Sequence, residues 1–342
     1  MQRKGINYDT GFTRIGAPPS RATFEPGQVR REIEIIARDL HCTAIRISGS
    51  DPQRSALAAD TALQEGLEVW FAPFPCDMTA DELTPYFVAC ARVAEGLRQR
   101  SPHVVFVLGC EMSLFDSGFV PGATYIERIQ AMMNPALLAQ QAVSPEELLQ
   151  RFNDFLGGAV SAVREHFHGP VTYASGTWER VDWSHFDIVG VDHYRDAGNR
   201  ESYREQLRHY GTQGRPVAVT EFGCCTYRGA PDRGALGWTI VDRTTDPPRL
   251  SENVVRDEQA QADEMVELLN IFDEERVEGA FWYTFASYGY PHRAGDPHHD
   301  LDCASFGVVK MLDGARGATY PGMPWEPKRS FYALADYYGR AD

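Results

Sequence analysis

Basic residues are scarce in this sequence, and their scarcity limits the partners that the protein can bind. The 342 residues include 33 Lys and Arg against 48 Asp and Glu, which leaves a net charge of −15 at pH 7. Binding to nucleic acid requires a basic face, and docking on anionic membranes also requires positive charge. We therefore predict no nucleic-acid partner and no membrane partner. A neutral small molecule remains compatible with this charge, which by itself favours solubility.

Long hydrophobic runs and patterned cysteines are also missing. No apolar run reaches transmembrane length, and residues 1–8 contain no apolar segment of the kind found in signal peptides. The seven cysteines are an odd number and show no CxxC or zinc-type spacing. We therefore predict seven reduced thiols in a cytoplasmic protein.

Sequence motifs for cofactors are absent as well. No G-x-G-x-x-G sequence follows the first predicted strand and no P-loop is found, which excludes the usual nucleotide-binding folds. His298 and His299, in the sequence GDPHHDLD, do not have the spacing of metal ligands on a helix or strand. We predict neither a cofactor nor a metal ion. The oligomeric state is left open.

What the sequence does contain is a regular alternation of short apolar runs and longer amphipathic segments. The predicted strands cover residues 4–8, 43–47, 67–72, 103–108, 170–174, 186–192, 216–220 and 279–284. The predicted helices cover residues 26–40, 52–65, 79–99, 144–166, 202–210, 253–272 and 327–338. Such a series is typical of an α/β protein with a closed (β/α)8 barrel. We predict one domain over residues 1–342, with insertions after the fourth strand (116–143), the seventh strand (224–251) and the eighth strand.

The C-terminal ends of the predicted strands collect carboxylates, aromatic rings and hydrogen-bonding groups. In a (β/α)8 barrel these ends form the active site. Glu111 follows the fourth strand and Glu221 the seventh, and two such carboxylates can cleave a glycosidic bond as proton donor and nucleophile. The other candidates for substrate binding at these ends are Asn7, Arg46, Asp77, Cys110, Trp178, His193, Tyr194 and Trp282.

Two strand sequences resemble those of clan A glycoside hydrolases, a group of retaining (β/α)8 enzymes with glutamates on strands four and seven. VVFVLGCE at residues 104–111 is similar to the acid/base strand of that clan, and VAVTEFG at residues 217–223 is similar to its nucleophile strand. The resemblance implies that Glu111 is the acid/base, that Glu221 is the nucleophile, and that the substrate is a β-linked glycoside. A looser similarity connects the chain to bacterial barrel proteins labelled as abortive-infection proteins.

Other motifs extend the resemblance over most of the chain. AIRIS resembles the second strand of the clan, whose arginine contacts the nucleophile, and this implies that role for Arg46. GVDHY resembles the sixth strand and implies a second contact from Tyr194 or His193. GAFWYTF resembles the eighth strand and implies that Trp282 is a platform for the sugar ring. The segment from SFGVVKMLDG to WEPKRSFYALADYY resembles the usual ending of these barrels.

Cys110 departs from the pattern, because the clan places Asn directly before the acid/base, where it contacts the sugar 2-hydroxyl. A thiol is a poor hydrogen-bond partner. Either the substrate is unusual at that carbon, another residue replaces the Asn, or the activity has changed. Two further interpretations therefore stay open: a barrel that binds sugar without hydrolysing it, and a metal-dependent lyase or isomerase. The ligands of such a metal would be Glu111, Asp192, His193 and Glu221.

Overall fold

Eight parallel strands close into a barrel in the computed structural model, which describes residues 1–134 and 144–340. The barrel strands are β1 (Arg3–Gly11), β2 (Ala44–Gly49), β3 (Glu68–Pro73), β4 (Val104–Cys110), β5 (Val171–Gly176), β6 (Val189–Asp192), β7 (Val217–Phe222) and β10 (Gly279–Trp282). Each strand pairs with its neighbours in chain order, and β10 closes the ring against β1. The predicted (β/α)8 barrel is confirmed.

Helices connect the barrel strands and cover their outer faces. They are α1 (Pro26–Arg38), α2 (Pro52–Gln64), α3 (Ala80–Arg98), α4 (Met112–Phe115), α5 (Tyr125–Met133), α6 (Pro145–Arg164), α7 (Tyr203–Gly211), α8 (Glu258–Glu274) and α9 (Arg329–Tyr338). The start of α6 follows from its sequence, because the Ser144 side chain accepts a hydrogen bond from the Glu147 N–H and acidic residues occupy the first turn.

Two sets of buried side chains form the core, one inside the barrel and one between the strands and the helices. Successive residues of a strand point to opposite faces, so each strand contributes to both sets. Inside the barrel, Trp70 of β3 contacts Phe281 of β10 with ring centroids 4.6 Å apart. Small residues such as Ala44, Ala174 and Ala218 fill the remaining interior. The interior is therefore packed, and any ligand site must lie at a barrel end.

The boundaries of three predicted elements are corrected. The strand predicted for residues 186–192 begins at Val189, after a 3₁₀ turn at Trp183–His185. The helix predicted from residue 253 begins at Glu258, because Asp257 is the N-cap and Arg256 is bridged to Tyr227. The helix predicted from residue 327 begins at residue 329, since Trp325–Pro327 pairs in a small sheet.

Three long connections surround the C-terminal ends of the barrel strands. The one after β4 contains α4 and α5, and residues 135–143 of the insertion predicted there lie outside the described residues. The connection after β7 holds a 3₁₀ helix at Ala230–Ile240 and the short strands β8 (Val241–Asp242) and β9 (Arg249–Leu250). After β10 comes a three-stranded sheet made of β11 (Ala286–His292), β12 (Val309–Leu312) and β13 (Trp325–Pro327). No helix among residues 1–134 and 144–340 is long and apolar enough to cross a membrane.

Candidate active site

A cavity of about 490 Å³ opens at the C-terminal ends of the barrel strands, between these three connections. Six of the ten residues predicted from the sequence line it. They are Asn7, Cys110, Glu111, Trp178, Tyr194 and Glu221. Asp192, at the end of β6, lines the cavity as well. The site therefore has carboxylates at its base, as the strand-end positions predict.

Glu221, on β7, is held by two hydrogen bonds from other strands. Arg46 of β2 donates from Nη1 to one carboxylate oxygen at 2.6 Å, and the Tyr194 hydroxyl donates to the other at 2.8 Å. Arg46 is itself buried and also donates to Asn7 Oδ1 at 2.7 Å. The Asn7 amide in turn donates to the carbonyl of Thr220 at 2.9 Å. A guanidinium and a hydroxyl that donate to the same carboxylate fix its orientation.

Glu111 lies directly after β4 in the left-handed backbone region, with φ 44° and ψ 41°. This conformation is uncommon for a residue other than glycine and is frequent at functional sites. The Glu111 N–H donates to the carbonyl of Ala174 at 2.9 Å, which fixes the turn. Burial raises the pKa of the Glu111 carboxyl well above its ordinary value, and the negative charges of Asp192 and Glu221 raise it further. Glu111 is therefore suited to hold a proton at neutral pH.

Asp192 and Cys110 lie next to Glu221 at the base of the cavity. One oxygen of Asp192 accepts a hydrogen bond from Thr220 Oγ1 at 2.7 Å, and the other accepts one from Cys110 Sγ at 3.2 Å. The same sulfur is 3.6 Å from Glu221 Oε1. Burial and the charge of Glu221 raise the pKa of Asp192 to about 8. Asp192 therefore holds its proton more tightly than an exposed aspartate does.

These three side chains do not fit a resident metal ion. Their ligand atoms lie within 4.8 Å of one another. However, the Cys110 thiol donates hydrogen bonds to Asp192 and Glu221, so these ligand atoms already have one another as partners. Arg46 already provides the positive charge next to Glu221. The metal-dependent alternative also required His193, which lies elsewhere.

His193 does not line the cavity, contrary to the prediction that it binds the substrate. Its ring is fully buried on the helix side of the barrel wall, stacked on Tyr203 with centroids 4.3 Å apart. Only its backbone N–H contacts Glu221, by donating to the carbonyl at 2.8 Å. Adjacent residues of a strand point to opposite faces, so Tyr194 faces the cavity and His193 faces away. Burial lowers the pKa of His193 to about 4, which keeps the ring neutral.

Trp282 does not line the cavity either, contrary to the prediction that it forms a platform for the sugar ring. Its side chain is fully buried, packs against Phe222 at 5.3 Å and donates from Nε1 to the carbonyl of Phe306 at 3.0 Å. The next residue, Tyr283, lines the cavity instead. The sequence motif identified the strand but not which of the two adjacent aromatic residues faces inward.

Asp77 also lies outside the cavity, contrary to the prediction that it binds the substrate. It accepts a hydrogen bond from Arg128 Nη2 at 2.5 Å and another from the Ile15 N–H at 2.7 Å, and it does not line the cavity.

Trp178, in contrast, lines the cavity as predicted, with 41% of its surface exposed. Its Nε1 donates to Ser113 Oγ at 3.1 Å, which orients the indole. Trp178 is thus the predicted tryptophan that is available for stacking on a ligand.

An aromatic wall on one side of the cavity was not predicted. Its rings are in sequential contact, with centroid distances of 4.7, 4.8, 4.7 and 6.5 Å. In order, they belong to Phe12, Phe74, Phe115, Tyr125 and Trp238. The connections after β1, β3, β4 and β7 contribute these residues. Phe74 could have been identified from the sequence, because it comes directly after β3. The other wall residues lie in the connections, whose conformation cannot be read from sequence periodicity.

Comparison with known proteins identifies the fold. No protein-family model and no curated protein matches this chain. Among solved structures, a GH113 beta-1,4-mannanase matches with a TM-score of 0.64 at 14% identity, covering 99% of both chains. A GH113 beta-mannanase from Alicyclobacillus acidocaldarius, in complex with ManMIm, gives 0.59 at 15% identity over 98% of this chain and 97% of that one. A beta-glucuronidase from Ruminococcus gnavus gives 0.55 at 15% identity, covering 99% of this chain and 49% of its own. The chain thus has the (β/α)8-barrel fold found in these mannanases and in this glucuronidase.

Proposed function

We propose that this protein is a retaining glycoside hydrolase that cleaves a β-linked glycoside or oligosaccharide, with residues 1–342 acting as one catalytic domain. The observation that carries the proposal is the contrast between two glutamates of one cavity. Glu221 accepts hydrogen bonds from Arg46 and Tyr194, whereas burial and nearby carboxylates favour the protonated form of Glu111. Such a division between two carboxylates is what glycosidic cleavage requires. The names of the structural neighbours support the same class of substrate.

Each glutamate has a defined role in this proposal. Glu111 donates its proton to the glycosidic oxygen while Glu221 attacks the anomeric carbon, which releases the leaving group and forms a glycosyl-enzyme. Glu111, now a carboxylate, then removes a proton from water, which attacks the anomeric carbon and frees Glu221. A retaining enzyme needs the two carboxyl groups ~5–5.5 Å apart, because the nucleophile must reach the carbon directly. We propose that no cofactor takes part.

Other cavity residues would bind the sugar. Trp178 and Tyr283 offer aromatic faces, and Cys110 and Asp192 lie beside the nucleophile, where the carbon next to the anomeric carbon would be held. Asn7 would act through Arg46 and is a positioning residue. Replacement of Cys110 by Asn should therefore change the preference between 2-hydroxy and 2-deoxy or 2-substituted substrates. An unchanged profile would show that this position does not contact the ligand.

Substitution of the glutamates tests the proposal on a panel of aryl β-glycosides. Glu221→Gln should lower turnover by about three or more orders of magnitude, because the amide cannot form the glycosyl-enzyme. Glu111→Ala should do the same for poor leaving groups but spare activated aryl glycosides, whose leaving group needs little protonation. Asp232→Asn, an exposed carboxylate outside the cavity, is the matched control and should retain the starting activity.

Three outcomes would contradict the proposal. Near-normal turnover by Glu221→Gln would remove the nucleophile assignment. Uncleaved oligosaccharide bound in the cavity of the unchanged protein, with no hydrolysis of any panel member, would favour the non-hydrolytic sugar-binding alternative. Loss of activity on chelation, restored by a divalent metal, would favour the metal-dependent alternative.

A further inference from the structure

The cavity is electrostatically polarised between its base and its rim. Most of the carboxylates stand at the strand ends, with Asp196 on the connection after β6, while the cationic side chains that line the cavity all come from the connections. These cations are Arg14, Arg233 and Arg243. In a protein with a net charge of −15, the presence of three arginines at the entrance of an acidic cavity requires an explanation.

Arg14, in the connection after β1, lies on the aromatic wall. Its guanidinium carbon is 4.6 Å from the ring centroid of Tyr125, 5.7 Å from that of Phe12 and 5.9 Å from that of Phe115. A guanidinium this close to aromatic rings is held by cation–π attraction, which does not use up its N–H groups as hydrogen-bond donors. Such an edge binds the two oxygens of an oxyanion side by side.

Arg14 has no acidic partner among residues 1–134 and 144–340. It forms no ion pair with any of them, although it is half-buried. The remaining internal segment, 135–143, contains no acidic residue in its sequence. Arg233 provides the contrast on the same rim, because its guanidinium is paired with both oxygens of Glu252 at 3.0 and 2.7 Å. Within the described residues, the positive charge of Arg14 therefore has no carboxylate partner, whereas the charge of Arg233 is paired with Glu252.

Arg243 repeats the arrangement on the connection after β7. It is exposed, its guanidinium carbon lies 5.1 Å from the ring centroid of Tyr290, and it forms no ion pair in the part of the chain that the structure describes. Tyr290 also lines the cavity. Two arginines on separate connections thus present uncompensated charge to one opening.

The aromatic wall connects Arg14 to the proton donor. The Phe115 N–H donates to the carbonyl of Glu111 at 3.0 Å, and the Phe115 ring stacks on Tyr125 with centroids 4.7 Å apart. Because the proton donor faces the leaving group of a glycoside, the wall and Arg14 lie on the leaving-group side. A bound sugar at the base would direct its aglycone toward this arginine.

We propose that Arg14, assisted by Arg243, binds an oxyanion (a carboxylate, sulfate or phosphate) carried by the leaving-group portion of the substrate. The preferred substrates are then β-glycosides with a neutral sugar at the base of the cavity and an anionic aglycone or second sugar at its rim. This inference rests on the proposed function.

Paired aryl glycosides test the inference, using the sugar that the panel described above shows to be cleaved. The probes are 4-(carboxymethyl)phenyl, 4-(sulfomethyl)phenyl and 4-(phosphonomethyl)phenyl β-glycosides, each compared with the neutral 4-(carbamoylmethyl)phenyl β-glycoside. The methylene group keeps the leaving groups similar in reactivity. The unchanged protein should prefer at least one anionic probe by about tenfold in kcat/KM, as expected for a charged hydrogen bond at a half-buried site. The preference should decrease as salt is added.

Substitutions locate the effect. Arg14→Gln should bring the ratio of anionic to neutral kcat/KM close to one, and Arg14→Lys should give an intermediate ratio, because lysine keeps the charge but not the planar fork. Arg243→Gln should reduce the ratio in part. The double variant Arg233→Gln with Glu252→Gln is the matched control: it removes a rim arginine together with the carboxylate that compensates its charge, so the ratio should stay that of the unchanged protein.

The outcomes separate this inference from the function on which it rests. Cleavage of the neutral probe with no preference for any anionic probe would overturn the inference and leave the glycosidase proposal standing. A preference that survives in Arg14→Gln, with the variant folded by its melting curve, would also overturn the assignment. Failure of the unchanged protein to cleave any glycoside of the panel would overturn both.

Discussion

Two residues of the same type have different environments in this cavity, and contacts from other strands create the difference. Glu221 accepts hydrogen bonds from a buried arginine and a tyrosine, which hold its carboxylate in one orientation. Glu111 lies among carboxylates in a buried position, so its protonated form is favoured. Since like charges in one site raise the pKa of a neighbour, Asp192 takes part in this division without touching the reacting oxygen.

We expect Asp192→Asn to shift the pH dependence of the enzyme. A general acid works in its protonated form, so kcat/KM falls as pH rises through the pKa of Glu111. Once Asp192 is ionised, its charge raises that pKa, and the neutral amide removes this effect. The descending limb of the pH profile should therefore move to lower pH, by about 0.5 to 1 unit.

The control for this experiment is Asp196→Asn. Asp196 lines the same cavity, but its carboxylate accepts from the N–H groups of Gly198 and Asn199 and makes no hydrogen bond with either glutamate. Its replacement should leave the limb in place. A limb that does not move in Asp192→Asn, or moves equally in both variants, would argue against Glu111 as the acid.

At the scale of elements, the connections after the barrel strands depend on buried polar contacts for their positions. Arg128, on α5, is fully buried and donates to the carbonyl of Leu114 at 2.6 Å and to that of Phe115 at 3.0 Å. Its pairing with Asp77 joins the connection after β4 to the connection after β3. The aromatic wall, whose rings come from both connections, is held together through this pair.

Arg128→Met should destabilise the protein by about 3–5 kcal/mol, because it leaves Asp77 charged and without its partner in a buried site. Urea unfolding measures the effect. The double variant Arg128→Met with Asp77→Asn should be more stable than Arg128→Met alone, since no uncompensated charge remains. A loss below about 1 kcal/mol in the single variant, which is the range of exposed ion pairs, would show that the pair does not hold the connection.

At the scale of the whole molecule, stability comes from the packed barrel and not from covalent cross-links. All seven cysteines are free, and all except the half-buried Cys76 are buried. Burial raises the pKa of these thiols, for Cys90 to about 12, and a protonated, enclosed thiol reacts slowly. Apart from Cys110, which lines the cavity, the cysteines show no second role in their spacing.

Titration with a thiol-reactive reagent should reflect this arrangement. Denatured, unreduced protein should show seven reactive thiols, as in the structure, and folded protein should react much more slowly, with Cys76 first because it is the most exposed. Two protected thiols in the denatured protein would contradict the prediction of a fully reduced chain.

The sequence by itself determined the barrel and the two glutamates. Both are local properties: a buried parallel strand is a short apolar run, and a carboxylate placed directly after such a run lies at the end of a strand. Glu111 and Glu221 could therefore be identified before any contact was known. The order of the motifs along the chain added Arg46, which the structure places on Glu221.

Only the tertiary structure decided which neighbouring side chain faces the cavity and what the connections contribute. His193 and Tyr194 are adjacent, as are Trp282 and Tyr283, and one residue of register at a strand end exchanges their faces. Asp77 became a structural residue because Arg128, 51 positions away in the chain, reaches it. The position of Arg14 on the aromatic wall was also decided by the tertiary structure. The closed barrel brings separate loops into contact, and such contacts leave no periodic signal in the sequence.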